Sequence, residues 1–207
     1  MKRLVFATGN EKKMKEIRSI LKDCPYKVLS MKEVGLDMDI VENGTTFEEN
    51  ALIKARAVFS ALKGVEVVLA DDSGLEIDYL DKAPGIYSAR FMGEDTPYSI
   101  KNKVLIDKLK GVEGKERSAR FRCVIAAVFS DGRECTVSGA IEGEIAHEQM
   151  GKNGFGYDPI FWLPERHCTT AQLSEDEKNE ISHRGKALRG MVEILMESEQ
   201  DENISSK

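Results

Sequence analysis

Two apolar runs in this chain break off at polar residues, and that pattern limits the available folds more than any other feature. Leu4 to Ala7 gives way to Thr8-Gly9-Asn10, after which Met14, Ile17 and Leu21 recur at helical spacing. The chain therefore opens as strand, tight turn, helix. Tyr26 to Met31 reads as a second strand, followed by an acidic loop with Asp37, Asp39 and Glu42. Thr45 and Thr46 each have a glutamate three residues on, so either can cap the next helix. That helix places Phe47, Ala51, Ala55, Val58 and Leu62 on one stripe, with Asn50 and Lys54 off it, one turn apart. Val67 to Ala70 is a buried-type strand that stops at Asp71-Asp72-Ser73-Gly74; Leu75, Ile77 and Tyr79 then alternate with polar residues as a strand resumes. Strands alternating with helices predict an α/β fold.

The second half adds an antiparallel component. Thr96-Pro97 starts a helix to about Lys110, because proline is tolerated at the first helical position. Arg117 to Ser130 and Glu134 to Ile145 flank Asp131-Gly132-Arg133 and read as a long hairpin, so the sheet is expected to be mixed. Gly151 to Pro159 is a glycine-rich loop, and a last helix from near Ser182 keeps Leu188, Met191 and Leu195 inward. Residues 198–207 read as a frayed polar tail. At ~150 residues per domain, 207 residues make one domain over 1–207 or two lobes sharing a core.

Charge and composition narrow the function. Lys and Arg number 30 against 36 Asp and Glu, a net charge of −6, which argues against a dedicated nucleic-acid binder, whose affinity needs a basic face. Any phosphate binding is therefore local. With 41% hydrophobic and 32% charged residues the chain is an ordinary globular protein rather than a disordered one. The run after Lys2 and Arg3 is shorter than the ~7–15 apolar residues of a signal peptide. The longest apolar run, Cys123 to Phe129, is far short of the ~20 residues of a membrane span. Cys24, Cys123, Cys135 and Cys168 form no CxxC pair, which suggests reduced thiols and, with the rest, a cytoplasmic protein without membrane partners.

Four segments carry potential chemistry. Thr8-Gly9-Asn10-Glu11-Lys12-Lys13 joins a strand to a helix start, where free amides and the helix dipole attract an anion; a turn with a helix cap and solvated lysines is the alternative. Asp71-Asp72-Ser73-Gly74, with Glu42, offers carboxylates for Mg²⁺ and for activating water, or else an Asx-type turn. Adjacent acids are costly unless a cation compensates, which favours the metal reading. Phe155-Gly156-Tyr157-Asp158 presents two aromatics and an acceptor, suited to stacking on a base or to plugging the loop onto the core. Lys178 with Ser182-His183-Arg184 could meet phosphates or donate to a purine O6. His147 and His167 read as surface or packing residues.

Together these segments resemble the RdgB-type inosine/xanthosine triphosphate pyrophosphatase family over nearly the whole chain. The matching stretches are Thr8-Gly9-Asn10 with Lys13, Glu49-Asn50-Ala51 with Lys54-Ala55, Ala70 to Leu75, Ala83 to Arg90, Phe155 to Phe161, and Glu177-Lys178-Asn179 with Ser182-His183-Arg184. The resemblance implies a Mg²⁺-dependent hydrolase that cuts non-canonical purine triphosphates (ITP, dITP, XTP) between the α and β phosphates. It also implies an elongated mixed sheet with flanking helices, forming two lobes around a central cleft, in a homodimer. On this carry-over Asp72 accepts the proton and binds metal with Glu42. Thr8 to Lys13, Lys54, Ser73 and Lys178 hold phosphates and sugar. Phe155 to Asp158 cradle the base, and His183 and Arg184 address its 6-oxo edge. Where the family usually reads Pro-Arg-Gly, this chain reads Gln149-Met150-Gly151-Lys152, and Lys152 is the candidate to substitute. Two rivals remain: a Maf-like pyrophosphatase of other specificity, whose own motifs are missing, and a nucleotide sensor without turnover, which would not need Asp72 beside Asp71.

Overall fold

A computed structural model describes residues 2–65 and 67–205, with side chains to residue 198. Among these the chain runs β1 (Arg3–Phe6), α1 (Glu11–Ile20), β2 (Lys27–Ser30), α2 (Phe47–Ala61), β3 (Val67–Ile77), α3 (Tyr98–Lys108), β4 (Ser118–Phe129) and β5 (Glu134–Ile145). It continues through β6 (Phe161–Leu163), β7 (Cys168–Thr169), α4 (Glu175–Ile181) and α5 (His183–Ser205). The strands form one sheet in the order β2-β1-β3-β4-β5-β6-β7. β1 is parallel to β2 (Leu4 opposite Val28) and to β3 (Leu4 opposite Val67), whereas β6 is antiparallel to β5 and β7. The expected mixed α/β sheet is thus observed. No helix among the described residues is long and apolar enough to cross a membrane. The polar tail expected over 198–207 falls, for its side chains from 199 and for residues 206–207 altogether, outside the described residues.

The chain divides into two units. Unit 1 comprises Met1–Asp72, Cys123–Gly139 and Arg184–Lys207; unit 2 comprises Ser73–Arg122 and Ala140–His183. In unit 1, Leu4, Phe6, Val67 and Leu69 share a core with Met14, Ile17 and Leu21 of α1 and Leu188, Met191 and Leu195 of α5. Strand side chains alternate between faces, so Val68 and Ala70 point the other way. Asp72, of the same parity, meets Asn50 of α2 there. α2 is capped by Thr46, whose hydroxyl accepts from Glu49 N–H at 3.1 Å, while Thr45 binds the Glu49 carboxylate. Of the two possible caps, Thr46 serves.

Unit 2 has its own core of Leu75, Ile77, Leu105, Leu109, Phe121, Ile145, Ile160 and Phe161. Arg117, 3% exposed, lies at the edge of that core. Its guanidinium donates to the carbonyls of Leu109, Val112, Ile145 and Ala146 at 2.6–3.1 Å, tying the end of α3 to the end of β5. Two elements differ from expectation. β3 does not stop at Asp71 but runs through Asp71-Asp72-Ser73-Gly74 as continuous strand, because each carboxylate finds its own cations on its own face. The chain also forms α4 ahead of α5, started by a reciprocal capping box between Ser174 and Glu177 that is visible as Ser-x-x-Glu.

Replacing Arg117 by leucine would take a donor from four buried carbonyls, of which Leu109 O keeps the Val112 amide, at about 1 kcal/mol or more for each one left unpaired. Arg117→Leu is therefore expected to lower unfolding free energy by about 3 kcal/mol or more. Urea denaturation of the two proteins measures it, and an unchanged midpoint would contradict this role.

Candidate active site

In unit 1 the turn between β1 and α1 is built by its own side chains. Asn10 caps α1, its Oδ1 accepting from the amides of Lys12 and Lys13 at 3.0 and 3.1 Å, and its own N–H donates to Thr8 Oγ1 at 3.2 Å. The helix-cap reading of Asn10 thus describes its contacts here, and Gly9, Glu11 and Lys12 face solvent. Thr8 and Gly9 border a cavity of about 710 Å³ that is also lined by Lys13, Glu42, Lys54 and Asp71. Of the residues expected to hold phosphates and sugar, Thr8, Gly9, Lys13 and Lys54 line this cavity, whereas Asn10, Glu11, Lys12, Ser73 and Lys178 do not.

Asp71 and Asp72 occupy opposite faces of β3 and have different surroundings. Asp71, 2% exposed, receives Lys13 Nζ at 3.0 and 3.2 Å and Arg184 Nε and Nη2 at 3.3 and 3.2 Å. Burial by itself would raise its pKa, but the charges of Lys13, Arg184 and Lys54 outweigh burial and hold the carboxyl far below the usual range. Arg184 Nη1 pairs with Glu16 at 2.6 Å. Its guanidinium, 2% exposed, is therefore engaged with two carboxylates.

On the other face, Asp72 accepts from Asn50 Nδ2 at 3.1 Å and lies 3.6 Å from Lys54 Nζ. Lys54 leans instead to Glu42, at 2.9 Å. Burial, together with the charges of Glu42 and Asp71, raises the Asp72 pKa to about 6 despite Lys54 and Asn50. A carboxyl with that pKa is largely ionised at neutral pH yet basic enough to take a proton. Asp72 and Glu42 supply hard oxygen donors around a shared lysine. That donor set suits Mg²⁺, which is held by one or two carboxylates plus substrate oxygens and water. Among the described residues no group of three His, Cys, Asp or Glu side chains is arranged to hold a metal. An ion there would complete its shell with substrate oxygens and water.

In unit 2 the loop from Gly151 to Pro159 carries Phe155, which is half-buried, and Tyr157, which is 4% exposed. The Tyr157 hydroxyl donates to Ser88 O at 2.7 Å and its ring packs edge-on against Tyr98, with centroids 5.1 Å apart. Of the two aromatics expected to stack on a base, Tyr157 is built into the core and Phe155 keeps an exposed surface. Lys178 Nζ lies 4.8 Å from the Phe155 ring centre and 2.6 Å from Asp158 Oδ2. Gly156 has φ +68° and its carbonyl accepts from Asn102 at 3.2 Å. His183 stacks on Phe121 at 4.9 Å, Ser73 is half-buried, and Lys152 is exposed. Gln149 is fixed by donating to Ser99 O at 3.1 Å. The unit therefore gathers Phe155, Gly156, Asp158 and Lys178, and turns Tyr157 inward.

Sequence reasoning missed Glu16 and Thr170, and placed Ser88 in the Ala83 to Arg90 stretch without giving it a role. Glu16 lies within α1 with no motif around it, and Ser88 and Thr170 act through contacts across 69 and 12 positions that no local pattern announces.

Residues 4–194 match the model of the Ham1 family. A dITP/XTP pyrophosphatase of Clostridium perfringens is 47% identical over 199 residues, covering 94% of this chain and 98% of that protein. Among solved structures, the Ham1 protein of Staphylococcus aureus is 41% identical with a TM-score of 0.83, covering 95% of this chain and all of that one. A HAM1 protein from Coxiella burnetii, also 41% identical, has a TM-score of 0.84 over the same shares. The six motifs read in order along the sequence thus coincide with a family match over nearly the whole length, and the chain belongs to the Ham1 family.

Proposed function

We propose that this chain hydrolyses non-canonical purine triphosphates (dITP, ITP and XTP), releasing the nucleoside monophosphate and pyrophosphate. The observation that carries this reading is the Asp72 carboxyl, raised to about 6 beside Lys54 and Glu42 on a strand-borne site. Relatives named dITP/XTP pyrophosphatase, 42–49% identical, support the substrate class. On this reading the chain is one two-lobed catalytic domain, works as a homodimer in the cytoplasm, and needs no nucleic acid or membrane.

The chain's own groups divide the work. Asp72 Oδ takes the proton of the attacking water, and Asn50 and Lys54 fix the carboxylate's orientation. Thr8, Gly9 and Lys13 at the α1 start, with Lys54, hold phosphate oxygens, and Phe155 stacks on the base beside Lys178. Asp72 and Glu42 hold Mg²⁺, which when bound draws charge from the phosphates and eases departure of pyrophosphate. Base choice requires donors facing the 6-oxo edge, the role assigned to His183 and Arg184. Adenine would set its amine against those donors and leave buried polar groups unpaired.

Asp72→Asn is expected to retain nucleotide binding and to lose about 10²–10⁴-fold in kcat, the range for a general base. In the wild type, kcat/KM falls as pH drops through about 6 or lower, because protonation removes the base and bound cations pull its pKa down. That acid limb disappears in the asparagine variant, and pH-rate profiles of both enzymes decide the point. Stripping divalent ions with EDTA abolishes turnover and Mg²⁺ restores it, as stopped assays with and without added metal would reveal. In a pyrophosphate-release panel dITP and XTP exceed ATP by about 10³-fold or more, with pyrophosphate rather than orthophosphate as product. Equal ATP turnover would overturn the base selection.

A further inference from the structure

The loop that presents Phe155 is moulded on a second segment, the turn at Thr169 to Gln172. Thr169 Oγ1 donates to Met150 O at 2.8 Å, and the amides of Lys152 and Asn153 donate to Ala171 O at 3.1 and 3.0 Å. A methyl group on Gly151 would lie 2.4 Å from the Ala171 carbonyl, so loop and turn are in backbone contact. The turn is itself rigid, closed by a capping box in which Gln172 Oε1 accepts from Thr169 N at 2.9 Å.

From this turn one side chain reaches the middle of the loop. Thr170 Oγ1 lies 2.9 Å from Asp158 Oδ1 and 3.2 Å from Asp158 O, and donates to the nearer carboxylate oxygen, inside a region where Thr170 and Asp158 are 3% and 2% exposed. The other oxygen, Oδ2, accepts from Phe155 N at 2.7 Å and from Lys178 Nζ at 2.6 Å. A buried carboxylate is tolerated only when its oxygens are paired and bonded, and here the two oxygens have separate tasks. The threonine hydroxyl sets the rotation of the carboxylate, and the carboxylate then sets both the Phe155 backbone and the ammonium beside its ring. Gly154 leaves the required space. With φ +70°, a methyl group there would come within 2.2 Å of Asp158 Oδ2 and 3.2 Å of Lys178 Nζ.

We propose that Thr170 is a positioning residue for substrate binding, acting through the Asp158 carboxylate to fix Phe155 and Lys178 together. The inference rests on the proposed stacking of a purine on Phe155. Because base contacts far from the bond being cut act on ground and transition states alike, loss of the hydroxyl affects KM rather than kcat.

The test combines hydrogen exchange with kinetics. In the wild type the Phe155 amide is expected to be protected from exchange, and in the near-isosteric Thr170→Val protein to exchange at least tenfold faster. Thr170→Ser, which keeps the hydroxyl, restores protection to within threefold. With dITP, Thr170→Val raises KM about tenfold with kcat within twofold, and Thr170→Ser returns KM to near the wild-type value. An unprotected Phe155 amide in the wild type would overturn the proposal whatever the variants do. So would unchanged exchange in the valine protein, a fall in kcat at constant KM, or failure of serine to rescue. Should the wild type hydrolyse no purine triphosphate, the functional reading fails, while the exchange comparison still decides whether Thr170 positions the loop.

Discussion

The alternation of side chains along β3 governs much of this molecule. Two aspartates in direct succession would repel strongly if they shared a face, but a strand sends neighbours to opposite sides. Asp71 therefore enters the face covered by α1 and α5 and is neutralised by Lys13 and Arg184, whereas Asp72 enters the face of α2 and meets Asn50 and Lys54. The outcome is two carboxyls of opposite character one residue apart. Asp71 is held as an anion that anchors two helices, and Asp72, whose charged form burial disfavours, is left more basic. Such divergence of pKa between neighbouring acids is how a fold separates a structural carboxylate from a working one.

The same logic explains why the site tolerates a buried arginine. Arg184 lies between Glu16 and Asp71, so its charge is matched on two sides within unit 1, and its contacts bind the start of α5 to α1 and β3. Removing any one partner would leave an uncompensated charge in a region with almost no water access, which is far costlier than the pair itself is worth.

Much of this was readable from the chain. Helical spacing of Met14, Ile17 and Leu21 marked α1, the stripe from Phe47 to Val58 marked α2, and Asn50 with Lys54 one turn apart foreshadowed the two α2 side chains that meet Asp72. The sequence predicts a strand break at Asp71 because consecutive polar residues resemble a loop, whereas burial of Asp71 depends on cations 58 and 113 positions away. Adjacent acids likewise read as one charged pair, although the strand separates them. Tyr157 looked like a second stacking ring because periodicity does not reveal that a hydroxyl will find a carbonyl 69 residues distant. In each case local pattern located the residue, and a long-range partner decided what it does.

The division of the chain between its two cores has a practical corollary. Unit 1 draws on three separate stretches of polypeptide and unit 2 on two, so the backbone passes from one unit to the other after Asp72, Arg122, Gly139 and His183. No single truncation yields either unit intact. A fragment ending at Asp72 would contain β1, α1 and β2 but lack Cys123, Ile125 and the α5 side chains that complete their core. Neither half can be expressed as a stand-alone module or transplanted by simple gene fusion, and recombination between relatives has to respect all four junctions at once.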